Sequence, residues 1–165
     1  MNYTTATYSA NEIAKEIIIY SNDHDYPISN LKLQKLLYFI QAVFLNEYNR
    51  ACYDDTIEAW SFGPVVPNVY HNYKIFGAGN IPKRIFERNS FASIFTDTNS
   101  FGTHLSANDK EIIDWIVDSF SSYSATDLVD ITHHQDPWLD AYIPRYNNEI
   151  TKEAILNYFK NLKHK

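Results

Sequence analysis

Glycine, cysteine and long apolar runs are all scarce in this chain of 165 residues. The 4 Gly are scattered, which argues against a glycine-rich phosphate loop and therefore against P-loop and dinucleotide-binding folds. The single cysteine, Cys52, excludes an intramolecular disulfide and fits a reducing compartment. No apolar run reaches the length of a membrane span, and the first residues lack the charged-then-apolar layout of a signal peptide. We therefore expect a soluble cytoplasmic protein with no membrane partner.

Basic residues are also fewer than acidic residues. The chain has 14 Lys and Arg against 20 Asp and Glu, which gives a formal net charge of -6. A surface of that sign repels phosphates, and no dense run of Lys and Arg offsets it, so nucleic-acid binding is disfavoured. Aromatic residues, in contrast, are plentiful, with 13 Tyr and 10 Phe. Most of these rings are expected in the core and at its edges, and the alternative is that some form a recognition surface.

Capping residues ahead of apolar repeats predict most of the helices. Ser9-Ala10-Asn11-Glu12 has the form of a capping box, in which Ser9 and Glu12 satisfy each other's backbone amides. After Ser29, the apolar residues of 31–45 are spaced for a helix that is hydrophobic nearly all round, which is typical of a central buried helix. Further capping residues are Ser106, Ser124 and Thr151.

The breaks between these helices complete the fold prediction. Residues 57–62 suit a short strand, and Gly63-Pro64 suits a tight turn after it. Asp136-Pro137 is expected to end a helix, because the residue before proline avoids helical backbone angles. The predicted class is mainly α, a single compact domain over residues 1–165. It has five to seven helices, with a small β element near residues 57–62 and within 80–105.

Polar residues form a narrow seam on the second helix. Gln34, Tyr38 and Gln41 share one face at helical spacing. Buried amides need hydrogen-bond partners, so we expect the seam to bind backbone groups of residues 57–66 and hold that segment against the helix. The alternative is that the seam forms the floor of a groove that reads a partner.

Catalytic and metal-binding patterns are weak. Cys52 has no patterned partner, so an inert thiol is the favoured interpretation. His133 and His134 are adjacent, so on a helix they point apart and lack the i,i+4 spacing of two metal ligands. Asp130 is spaced to pair with His134, but a helix-end histidine is favoured. We therefore predict no metal, no cofactor and no enzymatic activity, and keep a small hydrolase as the weakest alternative.

Three segments stand out by their order and spacing. They read LKLQKLLYF at 31–39, IEAWSFGPVVPNVY at 57–70, and LVDITH at 128–133 followed by PW at 137–138. Together they resemble the Panacea domain, also called SocA-like, and the second segment is the most specific. One departure is Asn49, which stands where the family often has a glycine turn, and asparagine tolerates the left-handed conformation.

The resemblance implies a protein-binding function. Family members are antitoxins that bind and neutralise a toxin protein encoded beside them, and one branch delivers its toxin to an AAA+ protease. This chain is therefore expected to be an antitoxin that contacts a cognate toxin directly. The alternatives are a proteolytic adaptor that also binds an AAA+ protease, or a phage or mobile-element protein that binds another host protein.

The motif residues themselves are expected to be structural. Trp60 is expected in the core, and Thr132 or His133 is expected to satisfy helix-end carbonyl groups beside Trp138. Partner recognition is then expected on the less patterned 78–105 segment, at Phe86, Phe91, Ile94, Phe95 and Phe101. The full motif set is Leu33, Gln34, Lys35, Leu37, Tyr38, Trp60, Gly63, Pro64, Val65, Tyr70, Thr132, His133, Pro137 and Trp138.

Overall fold

A computed structural model describes residues 3–6, 8–87 and 104–164. These residues form seven α-helices, two short 3-10 helices and a three-stranded antiparallel sheet. The helices are α1 (Ala10–Asp23), α2 (Asn30–Tyr48), α3 (Pro67–Tyr73), α4 (Ala107–Ser119), α5 (Ala125–His133), α6 (Asp136–Ala141) and α7 (Lys152–Leu162). The strands are β1 (Ile57–Trp60), β2 (Gly63–Val65) and β3 (Glu149–Ile150), and the 3-10 helices are Lys74–Phe76 and Lys83–Phe86. The predicted mainly α class is confirmed.

The predicted helix caps are confirmed. The Ser9 side chain accepts a hydrogen bond from Glu12 N, and Ser9 N donates to Glu12 Oε2 over 2.8 Å, which completes the capping box. At the starts of α2, α4, α5 and α7 a hydroxyl likewise accepts from the third helical amide. Each cap satisfies an amide that the helix itself leaves without a partner. Asn49, at the end of α2, adopts the left-handed conformation with φ 52°.

Helix α2 is the centre of the core. It packs against α1, α3, α4, α5, α7 and β2, which accounts for the apolar residues on nearly every side of it. Leu33, Leu37, Ile40 and Phe44 are fully buried. The described residues contain no helix that is both long enough and apolar enough to cross a membrane.

The sheet has the order β2-β1-β3. In the β1–β2 hairpin Trp60 is opposite Gly63, and in the β1–β3 pair Ile57 is opposite Ile150. Side chains alternate along β1, so Ile57 and Ala59 are buried while Trp60 is only half-buried. The expectation that Trp60 lies in the core is therefore wrong.

Two further expectations need correction, and a third is tested only in part. The hairpin turn consists of residues 61–62, and Gly63-Pro64 belongs to β2 instead of forming the turn. Asp136-Pro137 begins α6 rather than ending a helix, because proline is well tolerated in the first helical turn. Residues 80–87 contain a 3-10 helix and no strand, and the rest of the 80–105 prediction up to residue 103 lies outside the described residues. The third strand, β3, was not predicted, because two residues carry too little pattern.

Candidate partner-binding site

Of the polar seam of α2, Gln34 anchors the second motif segment, while Tyr38 and Gln41 bind other parts of the chain. Val66 N donates to Gln34 Oε1 over 2.9 Å, which is the backbone contact predicted for Gln34. Gln34 Nε2 donates to Asn30 Oδ1 over 2.9 Å, and Asn30 Nδ2 donates to Tyr70 O over 3.1 Å. Gln41 binds an earlier stretch instead, since it accepts from Cys52 N and donates to Tyr53 O. A chain of buried amides thus joins the start of α2 to the hairpin and α3.

Lys35 is a second anchor. Its side chain is fully buried, and Nζ donates to Pro64 O over 3.1 Å. Burial lowers the pKa of the Lys35 ammonium to about 7, since the charged form loses its hydration. Gly63 packs directly on this side chain with φ +101°, so an added Cβ would lie 2.6 Å from Lys35 Cε and 2.8 Å from Thr132 Oγ1. Only glycine fits this position without displacing a neighbour.

The third motif closes the other side of the hairpin. Trp138 Nε1 donates to Trp60 O over 2.8 Å, and the His133 ring stacks on Trp138 with centroids 4.1 Å apart. Thr132 Oγ1 donates to Leu128 O over 3.0 Å, a carbonyl inside α5 rather than one of the helix-end carbonyls that the sequence predicted. Tyr38 OH, buried in α2, donates to Gln135 Oε1 over 2.8 Å. The three motif segments therefore meet around β1 and β2.

The remaining structural motif residues lie where packing requires them. Leu33 and Leu37 are in the core, Val65 is buried in β2, and Pro137 is buried in the first turn of α6. Tyr70 is half-buried, and its ring lies edge-to-face with Trp60 at a centroid distance of 4.9 Å.

Of the five predicted recognition residues, Phe86 is the one that lies in the described part of the chain. Phe86 is buried, and Lys15 Nζ lies 5.2 Å from its ring centroid. A buried ring offers little surface to a partner, so the position of Phe86 is that of a core residue. Phe91, Ile94, Phe95 and Phe101 lie outside the described residues.

A groove beside the hairpin is more accessible to a partner than the buried ring of Phe86. It has a volume of about 520 Å³ and lies between the start of α2, the hairpin, α3 and the loop before β3. Phe62, at the hairpin tip, is 66% exposed, and Trp60 and Tyr70 contribute half-buried rings. We call this surface the hairpin groove. Its lining includes Asn30, Leu31, Gln34, Trp60, Phe62, Val65, Tyr70, Lys74, Arg145 and Asn147.

Sequence reasoning missed Phe62, Lys74 and Arg145. The signal for Phe62 is an aromatic residue at the tip of a two-residue hairpin turn, where it cannot reach the core. Lys74 and Arg145 are separated by 71 positions (145 minus 74) and carry no motif that associates them. Only the fold brings them to one groove.

A second depression is lined by α2, the end of α4 and α7. We call it the α2–α7 depression, and it has a volume of about 390 Å³. Phe39 and Phe120 stack in it at a centroid distance of 4.7 Å, and Phe159 and the 44% exposed Leu162 complete its apolar lining. Lys163 and Glu47 form an ion pair at its edge.

The candidate catalytic residues are not assembled into a site. Burial raises the pKa of the Cys52 thiol well above its usual range, so the thiolate is disfavoured. His134 Nδ1 lies 2.8 Å from Asp130 O, a backbone contact rather than a pairing with the carboxylate. Within residues 3–6, 8–87 and 104–164, no group of three His, Cys, Asp or Glu side chains is placed to hold a metal ion.

These features define a mainly helical domain whose motifs converge on a small hairpin and an adjoining groove. Residues 33–139 match the family described as "Antitoxin SocA-like, Panacea domain", and the chain belongs to that family, which supports an antitoxin role. The chain is also 38% identical, over 121 residues, to "Antitoxin SocA" of Caulobacter vibrioides (strain NA1000 / CB15N). That match covers 69% of this chain and 60% of the relative, so the chain spans about three fifths of the relative's length. No solved structure matches the chain.

Proposed function

We propose that this protein is an antitoxin that neutralises a cognate toxin protein by direct contact, without catalysis. The family supports the antitoxin role, and the observation that points to direct contact is the hairpin groove. The first two family motifs build its walls, and an aromatic ring that is 66% exposed stands at its edge. Exposed aromatic residues beside a groove are typical of the few residues that supply most of the energy of a protein interface.

Neutralisation by contact requires only that the bound toxin's active surface is covered. The fraction of toxin covered follows from mass action, and the duration of protection follows from the dissociation rate. The anchored position of the hairpin favours this mechanism, because a site held by buried hydrogen bonds loses little entropy on binding. The cytoplasm is the proposed compartment, which suits the buried free thiol of Cys52.

The test is co-expression with the product of the adjacent gene. Phe62→Ala should abolish growth rescue and weaken binding to that toxin by tenfold or more, which is about the effect of removing an aromatic residue that dominates an interface. The matched control is Trp115→Ala on α4, since Trp115 is 64% exposed, as Phe62 is, but does not line the hairpin groove. If both variants rescue growth equally well, the hairpin groove is not the toxin-binding surface.

A proteolytic adaptor is the second candidate function, because the structure offers a second apolar surface. An adaptor needs one surface for the toxin and another for an AAA+ protease, and the α2–α7 depression is separate from the hairpin groove. Substituting Leu162→Ser would then stabilise the toxin against degradation without weakening toxin binding. A toxin that keeps its cellular half-life when the antitoxin is present would count against the adaptor and for occlusion.

A further inference from the structure

The two amide side chains in the floor of the hairpin groove are buried and bound to the protein itself. Gln34 accepts from Val66 N and donates to Asn30, and Asn30 donates to Tyr70 O, so both are held in the fold instead of facing a ligand. The Trp60 indole N–H donates to Glu58 Oε2 over 2.6 Å. The floor therefore presents aromatic and aliphatic surface from Leu31, Trp60 and Tyr70. Such a floor selects an apolar side chain and discriminates poorly among polar ones.

The rim of the groove carries charge of one sign. Lys74 and Arg145 are both exposed and line the groove, and in the described part of the chain neither forms an ion pair with a carboxylate. None of the described lining residues is Asp or Glu. The charged residues that line the groove are therefore both basic, on a chain whose formal net charge is -6. Positive charge at the edge of an apolar floor favours carboxylates on the ligand.

The backbone around Arg145 adds a second observation. Arg145 and Asn147 both adopt left-handed conformations, with φ 74° and 48°. Asparagine adopts that region readily, whereas arginine does so less often, so the turn holds Arg145 in a specific backbone conformation. Asn148, the next residue, is tied to the fold, because its Nδ2 donates to Ala141 O over 2.9 Å and its carbonyl accepts from Ala59 N. The loop that presents Arg145 is thus attached to the sheet rather than free.

Resting on the proposed function, we infer that the hairpin groove binds a partner segment with an apolar or aromatic anchor side chain flanked by carboxylates. The anchor packs on Trp60, Tyr70 and Phe62, and the carboxylates pair with Lys74 and Arg145. A nucleotide would also bring an aromatic ring and negative charge. The peptide is favoured because the two amides of the floor, Gln34 and Asn30, are buried and already bind the protein, so neither is placed to read the edge of a base.

The experiment is a selection of random dodecapeptides displayed on phage against the immobilised full chain. Enriched peptides should carry Asp or Glu within a few positions of a large apolar residue. Synthetic versions should lose about two- to fivefold in affinity for each of Lys74→Gln and Arg145→Gln, which is the range for exposed ion pairs, and the loss should shrink at high salt. The control is Lys160→Gln, an exposed cation on α7 that does not line this groove.

Several outcomes would overturn the inference. They are enrichment of uncharged or basic peptides, no enrichment, unchanged affinity in both charge variants, or displacement of the peptide by AMP. Neutralisation of the toxin separates this failure from failure of the proposed function. If Phe62→Ala abolishes rescue while Lys74→Gln and Arg145→Gln keep it fully, the antitoxin groove stands and its charge preference is wrong.

Discussion

Replacing Gly63 by alanine tests whether the motif hairpin is held by close packing on α2. Two separate penalties apply to Gly63→Ala. The backbone there has φ +101°, and a non-glycine residue in such a conformation costs about 1–3 kcal/mol. The new methyl group would also lie 2.6 Å from Lys35 Cε and 2.8 Å from Thr132 Oγ1, both on buried side chains. Forcing extra volume into a packed interior costs about 1–3 kcal/mol more.

Gly77 separates these two penalties. It also has positive φ, +55°, but nothing lies within 4 Å of an added Cβ. Gly77→Ala should therefore lower the free energy of unfolding only by the backbone penalty, about 1–3 kcal/mol. Gly63→Ala should lower it by both penalties together, about 2–6 kcal/mol. The difference between the two variants measures the collision with Lys35 and Thr132.

Urea unfolding followed by circular dichroism measures both variants, with the midpoint reporting stability and the slope reporting two-state behaviour. A double-mutant cycle with Lys35→Ala isolates the lysine's part of the collision. In the Lys35→Ala background Gly63→Ala should cost about 1 kcal/mol less, because the collision with Lys35 is gone. The relief is only partial, because the close contact with Thr132 remains. Equal losses for Gly63→Ala and Gly77→Ala, with no coupling to Lys35, would refute the close packing described for this hairpin.

Three further predictions concern buried ionisable groups. Burial, together with the nearby negative charge of Asp114, raises the pKa of Glu16 from 4.5 to about 7. Between these pH values the folded state keeps a proton that the unfolded state releases, so stability should fall as pH rises from 4.5 through 7. Glu16→Gln should flatten that dependence and be more favourable at pH 8 than at pH 5 by about 1–3 kcal/mol, measured by urea unfolding at both pH values. Burial lowers the pKa of Lys35 to about 7, so above that pH the unfolded state binds more protons than the folded state. Stability should therefore rise from pH 7 to 9.5, and Lys35→Met should abolish the rise. A rise that persists in this variant would show that another group causes it. Cys52 should react with a thiol reagent only at the rate of unfolding, because its side chain is buried; rapid labelling of the native protein would contradict that burial.

The helix starts could be predicted because capping is local. Ser9 and Glu12 are three residues apart, so the chain itself holds the two groups that satisfy each other. The buried face of α2 is equally local, since helical spacing alone places Leu33, Leu37 and Phe44 in the core. Gln34 required one more step, namely that a buried amide must find a partner, and Val66 N, 32 positions further along the chain, is that partner.

Other features depend on which strand pairs with which. The face on which Trp60 lies follows from the register of β1 with β2 and β3, and a shift of one residue would reverse it. The pairing of Ile57 with Ile150 joins residues 93 positions apart (150 minus 57), and the two-residue strand β3 has no pattern of its own.

The sequence by itself determined the helix caps and the central position of α2, because each depends on residues a few positions apart, and it determined the family motifs through their order along the chain. The tertiary structure decided the site. Phe62, Lys74 and Arg145 come from a hairpin, a 3-10 helix and a loop that are distant in the chain, and the groove exists only where these elements pack together. The exposure of Phe62 and the sign of the charge around it are properties of that packing, and residues close together in the sequence do not determine them.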